Sequence, residues 1–268
     1  MDKTFFVHIG AHKTGTSAIQ HALGQLNELE DNGGFYYWEL FPFWPRGIDK
    51  PTNERFIENI HYLKEPNIIA SYEGFCGDLF SAYSDVETLA NNLRLVTQGV
   101  NTRIILYTRN QSDLWNAMCA QHVMEGGTMT PSDFKKKEIF PKSFNWLKVL
   151  NAYVDRFGAG NIDFVDYDVH KEDIFTPFCN IVGIPKKVKE AIRVERVNEP
   201  IPKEALEFLR FCNDGFEYKD DLRYFLQEKY SGKKLGERKR KVFIDKGVYA
   251  NWVKKEDLKS MTPVQFGL

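Results

Sequence analysis

Residues 10 to 17 read Gly-Ala-His-Lys-Thr-Gly-Thr-Ser, and residue types in this order can hold an anion. Gly10 and Gly15 allow close backbone approach, Lys13 brings an ammonium, and Thr14, Thr16 and Ser17 bring hydroxyls. The run before them, Thr4 to Ile9, is aromatic and β-branched and reads as a short buried strand. After them Ile19, Leu23 and Leu26 recur at spacings of three and four, the pattern of an amphipathic helix beginning at Thr16 or Ser17. A strand, a glycine-bounded turn and a helix aim backbone N–H groups, a helix N-terminus and one ammonium at a single point. That point suits a phosphate or a sulfate.

The stretch nearly matches the nucleotide-binding pattern GxxxxGK[ST], and the mismatch is informative. Gly10 and Gly15 are correctly separated and Ser17 stands at the hydroxyl position, but Thr16 occupies the place of the lysine. Lys13 lies three residues earlier, inside the loop. A kinase wants its lysine between the β- and γ-phosphates and a hydroxyl on Mg²⁺. A lysine within the loop meets instead the terminal group of a shorter, diphosphate-like donor.

Two further positions complete a candidate site. Asn67 to Glu73 reads as a strand, and in α/β folds the carboxyl ends of parallel strands open onto the ligand crevice, which would carry Ser71, Tyr72 and Glu73 there. Thr102 to Thr108 is the clearest strand in the chain. It ends in Arg109, not in the acidic residue an ATPase or kinase places there for Mg²⁺.

With these residues in view, GAHKTGTS resembles the 5′-phosphosulfate loop of the sulfotransferases that use 3′-phosphoadenosine 5′-phosphosulfate (PAPS), and Ala18-Ile19-Gln20 is similar to their bacterial glycan-directed branch. The resemblance implies that Lys13 contacts the oxygen bridging sulfate and phosphate. It places Thr14, Gly15, Thr16 and Ser17 on phosphate oxygens, with His12 beside them in the same donor-binding loop. Heparan-type relatives take the acceptor proton with a glutamate, which implies that role for Glu73; His12 and His122 stand in reserve. Arg109 to Gly126 resembles the segment that binds the donor's 3′-phosphate, and so implies that Arg109 pairs with it. The family usually adds a serine eight residues on, where this chain has Ala117. Ser112, Asn116 and Gln121 are nearby polar residues, though Ser112 before Asp113 reads first as a helix N-cap. The likeness runs to about residue 200, where Val197-Asn198-Glu199 resembles a short asparagine-containing segment. The implied reaction uses PAPS as co-substrate and no metal.

The elements that must position these residues follow the same layout. Phe35 to Leu40 is a strand candidate, Asp85 to Val96 a helix ended by Gly99, and Phe144 to Phe157 a helix with Leu147, Leu150, Val154 and Phe157 on one side. Ile162 to Tyr167 reads as a strand, Asp173 to Val182 as a helix, and Lys203 to Cys212 and Leu222 to Tyr230 as closing helices. The expected fold is α/β, one three-layer domain over 1–268 with a central parallel sheet of the P-loop-like sulfotransferase kind. Residues 1–200 form its core, and 201–268 add helices and a basic segment. Three stretches have alternative uses. The aromatic run Phe41 to Pro51 either packs or binds an acceptor, and Lys135 to Lys137 either faces solvent or meets an acidic acceptor. Arg238 to Lys241 either covers the 3′-phosphate, stays in water or contacts an anionic polysaccharide.

Bulk properties set the outer bounds. With 43% apolar and 27% charged residues and a net charge of −1, nothing points to nucleic acid or an anionic membrane. No apolar run approaches the ~18 residues of a membrane span. The four cysteines, Cys76, Cys119, Cys179 and Cys212, show no metal or CxxC spacing and read as buried free thiols. Thiols of this kind, and a first strand starting at Thr4 with no room for a signal peptide, give a cytoplasmic expectation. The expected partner is a hydroxyl on a carbohydrate or glycolipid. Two other readings stay open: a small-molecule kinase using ATP and Mg²⁺, and a module that binds adenosine 3′,5′-bisphosphate without turnover.

Overall fold

The computed structural model describes residues 3–39, 50–136, 144–194, 201–215 and 219–231. Most of the aromatic run, the end of the lysine run, the 197–199 segment and Arg238 to Lys241 lie outside the described residues. What is described falls into two compact units, one drawn from 1–114 and 137–195, the other from 115–136 and 196–268.

The first unit is built on five strands: β1 (Thr4–His8), β2 (Phe35–Tyr37), β3 (Asn67–Ser71), β4 (Asn101–Thr108) and β5 (Ile162–Asp166). They form one sheet in the order β2-β3-β1-β4-β5, every pair parallel, as the α/β expectation requires. β1 lies at the centre, with His8 opposite both Ser71 of β3 and Ile105 of β4. Side chains alternate across the sheet. Phe6, Ile69, Ile105, Tyr107 and Val165 share one face, under Ile19, Leu23 and Leu26 of helix α1 (Thr16–Leu26). Phe175, Phe178 and Val182 of helix α8 (Phe175–Val182) complete that layer. The intervening Phe5, Val7, Ile68, Ala70, Ile104 and Leu106 are also fully buried, so both faces are covered. A parallel sheet needs that cover, and burying each large side chain contributes about 1.5–3 kcal/mol.

The other helices of this unit are α2 (Lys50–Tyr62), α3 (Val86–Val96), α6 (Trp146–Phe157), α7 (Tyr167–His170) and α9 (Lys186–Ala191), and helix α4 (Gln111–Met124) starts in it. α2 carries no signal that the sequence reading picked up. It buries Phe56 and Ile60, and Phe56 meets Phe5 edge-on at 5.2 Å.

Several expectations shift. β2 stops at Tyr37 and β3 at Ser71, after which Glu73 to Cys76 make one turn of 3-10 helix. α6 buries Val149, Ala152, Tyr153 and Phe157, leaving Leu147 60% exposed. Of the apolar stripe Leu147, Leu150, Val154 and Phe157, Phe157 is buried as expected, but the inward face of the helix otherwise runs through Val149, Ala152 and Tyr153. The Tyr153 hydroxyl donates to Phe75 O at 2.6 Å. α3 ends at Val96 with Thr97 as C-cap, and Gly99, at φ 89°, forms the turn beyond it. At the start of α4 the cap is Asn110, whose Oδ1 accepts from the N–H of Ser112 at 2.9 Å and of Asp113 at 3.4 Å; Ser112 is not the cap.

The second unit holds most of α4, α5 (Pro131–Lys136), α10 (Lys203–Asn213) and α11 (Lys219–Ser231). Val123, Met124, Ala205, Leu209, Cys212, Leu222 and Leu226 form its core. Asn213 fastens it by donating to Val123 O at 2.8 Å and Gly127 O at 3.0 Å. All four cysteines are buried and unlinked, as expected. No described helix is long and apolar enough to cross a membrane.

Candidate active site

The loop after β1 is fixed from below by β4, whose Ile105 and Tyr107 carbonyls accept from Ile9 N–H at 3.0 Å and Ala11 N–H at 3.2 Å. Within it Lys13 adopts φ 65° and Gly15 φ 80°. A left-handed lysine is costly, by roughly 1–3 kcal/mol, and such backbone makes the concave nests that bind anions. Thr14 is buried, and its hydroxyl donates to Ala11 O at 2.6 Å, closing the loop on itself. What Thr14 can offer an anion is therefore its backbone N–H. Gly15 stands at the N-cap of α1 and no side chain caps that end, leaving the first amides of the helix for an incoming group. Lys13 and Ser17 are exposed at the rim, and Thr16 is buried with its Oγ1 in no hydrogen bond.

Gly10 has a different reason to be glycine. A Cβ there would lie 2.4 Å from His8 Nε2 and 3.0 Å from Thr16 Oγ1. His8, which the sequence reading passed over, packs directly beneath the loop. It is fully buried, meets Tyr107 and Phe178 edge-on, and shares a hydrogen bond of 2.8 Å between its Nδ1 and Ser71 Oγ. Burial pushes its pKa down to about 3, so the ring is neutral.

The turn after β3 is tied in from three sides. Tyr72 N–H donates to His8 O at 3.0 Å, Cys76 Sγ donates to Ile9 O at 2.8 Å, and Tyr153 holds Phe75 O. Burial and the nearby Glu73 carboxylate push the Cys76 thiol far up, so it acts as a neutral donor. Glu73 is half-buried at the head of this turn. Gln20 Nε2 from α1 reaches it, donating to Ser71 O at 3.0 Å and to Glu73 Oε2 at 3.4 Å.

His12 joins the two regions. Its Nδ1 lies 3.3 Å from Tyr83 OH, with the rings stacked at 5.8 Å. Burial lowers its pKa, Glu73 pulls it up, Lys13 pushes it down and Asp78 pulls it up. The loop and the Glu73 turn therefore share one electrostatic environment. Ala82 and Tyr83 are both left-handed, at φ 55° and 56°, and Tyr83 continues into Phe144 and Trp146 at 5.6 and 6.2 Å.

Arg109 follows β4 and closes the other shoulder. Its Nη1 donates to Lys13 O at 3.0 Å, and its guanidinium lies 5.1 Å over the Tyr167 ring. Its Nε is buried without a hydrogen bond, 4.0 Å from Asp168 Oδ1. Trp146 Nε1 donates to Arg109 O at 2.8 Å, and Asp168 accepts from Asn110 N–H at 2.5 Å, so backbone on both sides is fixed. The orphaned Thr16 Oγ1, the nest and the uncapped helix end fit an anionic group at the loop, and the Arg109 guanidinium is joined to the same loop through Lys13 O.

His12, Lys13, Thr14, Gly15, Thr16, Ser17, Glu73 and Arg109 thus all belong to the first unit, around the carboxyl ends of β1, β3 and β4. His122 lies on α4 in the second unit, its ring 5.4 Å from Phe134. Ala117 lies in the second turn of α4. Among the described residues no group of three or more His, Cys, Asp or Glu could hold a metal. Sequence reasoning missed His8, Tyr83, Trp146 and Asp168. Only His8 left a trace, as a polar residue inside an apolar strand.

No protein-family model matches the chain, and no curated protein does. Among solved structures, a sulfotransferase from Alicyclobacillus acidocaldarius is similar at 16% identity and a TM-score of 0.44, covering 90% of this chain and 99% of that one. A mouse sulfotransferase complexed with PAP is similar at 16% identity and 0.38, covering 99% and 80%. Retinol dehydratase in complex with androsterone and the inactive cofactor PAP is similar at 13% and 0.38, covering 97% and 83%. Likeness of this size says nothing about chemistry, which rests on the residues themselves.

Proposed function

We propose that this chain is an O-sulfotransferase that moves a sulfuryl group from PAPS to a hydroxyl on a carbohydrate or glycolipid. The observation that carries the reading is the junction of Lys13 and Arg109. A left-handed lysine inside the loop is joined through its carbonyl to the arginine that ends β4, where a metal-dependent kinase would carry an acid. One cation meets the transferable end of the donor, and the other its 3′-phosphate, which a planar and permanently charged fork suits.

The loop amides, Lys13, Thr16 and Ser17 hold the phosphosulfate. The acceptor oxygen bonds to sulfur as the bond from sulfur to the bridging oxygen breaks. Glu73 receives the hydroxyl proton, and adenosine 3′,5′-bisphosphate leaves. Lys13 and the amides offset charge growing on the bridging oxygen, the kind of stabilisation that a preorganised site supplies best. The reading includes a single sulfotransferase-like domain. It also includes a cytoplasmic setting, which the free thiols favour.

The test is transfer of labelled sulfuryl from PAPS to a panel of neutral and acidic oligosaccharides, glycolipids and small phenols. The reading predicts label on a glycan or glycolipid without added metal. Label on phenols alone overturns the acceptor class. No transfer to any member of the panel, together with phosphoryl transfer from ATP–Mg²⁺, overturns the reaction.

A further inference from the structure

We infer that Gln20 is a positioning residue for the proton acceptor, so that helix α1 fixes the distance between the transferred group and the base. The inference rests on the sulfuryl-transfer reading above. Gln20 has one group that can donate, its amide NH₂, and both partners it meets, Ser71 O and Glu73 Oε2, can only accept there. The chemistry therefore fixes which way the amide faces. At 3.0 Å the Ser71 carbonyl anchors the amide, and at 3.4 Å the carboxylate of Glu73 is steadied by it.

Position in the helix gives this contact its meaning. Gln20 comes one turn after Thr16, about 6 Å along the axis at ~1.5 Å per residue. The first amides of α1 face the donor, and the same helix one turn later grips the carboxylate that takes the acceptor proton. The apolar side of α1 is locked into the sheet by Ile19 and Leu23, both fully buried, so the helix cannot slide relative to β1 or β3. Tyr72 N–H and Cys76 Sγ hold the turn's backbone, and among the described residues Gln20 donates a hydrogen bond to the carboxylate itself. A carboxylate displaced by an ångström loses on the order of 10²-fold in rate, so a single amide has leverage here.

The experiment uses the full chain and PAPS with water as the acceptor, reading adenosine 3′,5′-bisphosphate released. In that step the water oxygen bonds to sulfur, the bond from sulfur to the bridging oxygen breaks, and the water proton passes to Glu73. Gln20→Met keeps length and removes the donor, whereas Gln20→Asn keeps the amide and withdraws it by one methylene. Both are predicted to lower kcat by roughly 10-fold or more while the Kd for adenosine 3′,5′-bisphosphate stays within about 2-fold. Adding Gln20→Met to Glu73→Gln should cost less than about 2-fold more, because the two residues act as one unit. Equal losses in both backgrounds, or a loss confined to donor affinity, overturn the positioning role. If the unsubstituted chain binds the bisphosphate and turns over while both Gln20 variants match it, the inference alone fails. If the unsubstituted chain neither binds the bisphosphate nor releases it from PAPS, the sulfuryl-transfer reading fails and takes the inference with it.

Discussion

The two sides of the candidate site are made in different ways. The loop from Gly10 to Ser17 takes its shape mostly from its own residues, left-handed Lys13 and Gly15, the Thr14 hydroxyl on Ala11 and the start of α1, with β4 carbonyls beneath it and Arg109 on Lys13 O. The turn from Ser71 to Cys76 is assembled from afar, by His8 of β1, Ile9 just after it, Gln20 of α1 and Tyr153 of α6. Backbone amides and an ammonium recognise an anion of fixed charge once the loop's backbone is held. A carboxylate that must accept a proton at one point has to be aimed, and side chains from three elements aim it.

Substitutions that separate these two sides should show the difference. Lys13→Ala is expected to act most strongly, lowering sulfuryl transfer on the order of 10³-fold, with a smaller loss of adenosine 3′,5′-bisphosphate affinity. Comparing turnover with calorimetry checks this, and equal losses in both would place Lys13 in ground-state binding alone. Glu73→Gln should lower turnover on the order of 10²-fold and leave bisphosphate affinity unchanged. Full activity in that variant would move the base elsewhere, with His12 next in place.

Arg109→Ala should weaken bisphosphate binding by roughly 10- to 100-fold, a charge-assisted pair being worth about 1.5–3 kcal/mol. The same titration with adenosine 5′-monophosphate should hardly change, since that ligand lacks the 3′-phosphate. An equal loss for both ligands would remove Arg109 from 3′-phosphate recognition.

His8 links the two sides and gives a pH test. Its folded pKa, about 3, lies below the ordinary imidazole value of 6.5, so the unfolded chain binds the extra proton between them. The stability this gives is complete above pH 6.5 and is lost as pH falls toward 3. At pH 5 the loss is about 2 kcal/mol. Denaturant unfolding at pH 7.5 and pH 5 should show it, and His8→Phe should reduce the difference by that amount. The smallest effect expected is from Thr14→Val, which removes the hydroxyl on Ala11 O and should cost about 1 kcal/mol of stability in the same experiment.

What the sequence made legible follows the same division. Strand–turn–helix around Lys13, the strand ending in Arg109 and the parallel α/β layout depend on local pattern, and each stands where the pattern placed it. The Glu73 turn was reached only through its place at a strand end. Nothing in the spacing of Gln20, Tyr83, Trp146 or Asp168 reports that they meet the loop, the turn or Arg109, because those contacts span 51 to 71 positions for Gln20 and His12. α6 shows a related limit. Leu147 and Leu150 have helical period, but which face turns inward was decided by Tyr153 reaching Phe75 O. The Asn110 cap, too, lies two residues before the Ser112 that the sequence offered, since an asparagine before the helix can serve both N–H groups.

The central claim is that Lys13 and Arg109 together recognise a donor with a short phosphosulfate end and a 3′-phosphate. Isothermal titration of the full chain with adenosine 3′,5′-bisphosphate, and separately with ATP–Mg²⁺, tests it most directly. The account predicts saturable binding of the bisphosphate that weakens with salt and is lost in the Lys13→Ala/Arg109→Ala double variant, and much weaker binding of ATP–Mg²⁺. Tight binding of ATP–Mg²⁺ with none of the bisphosphate would contradict it.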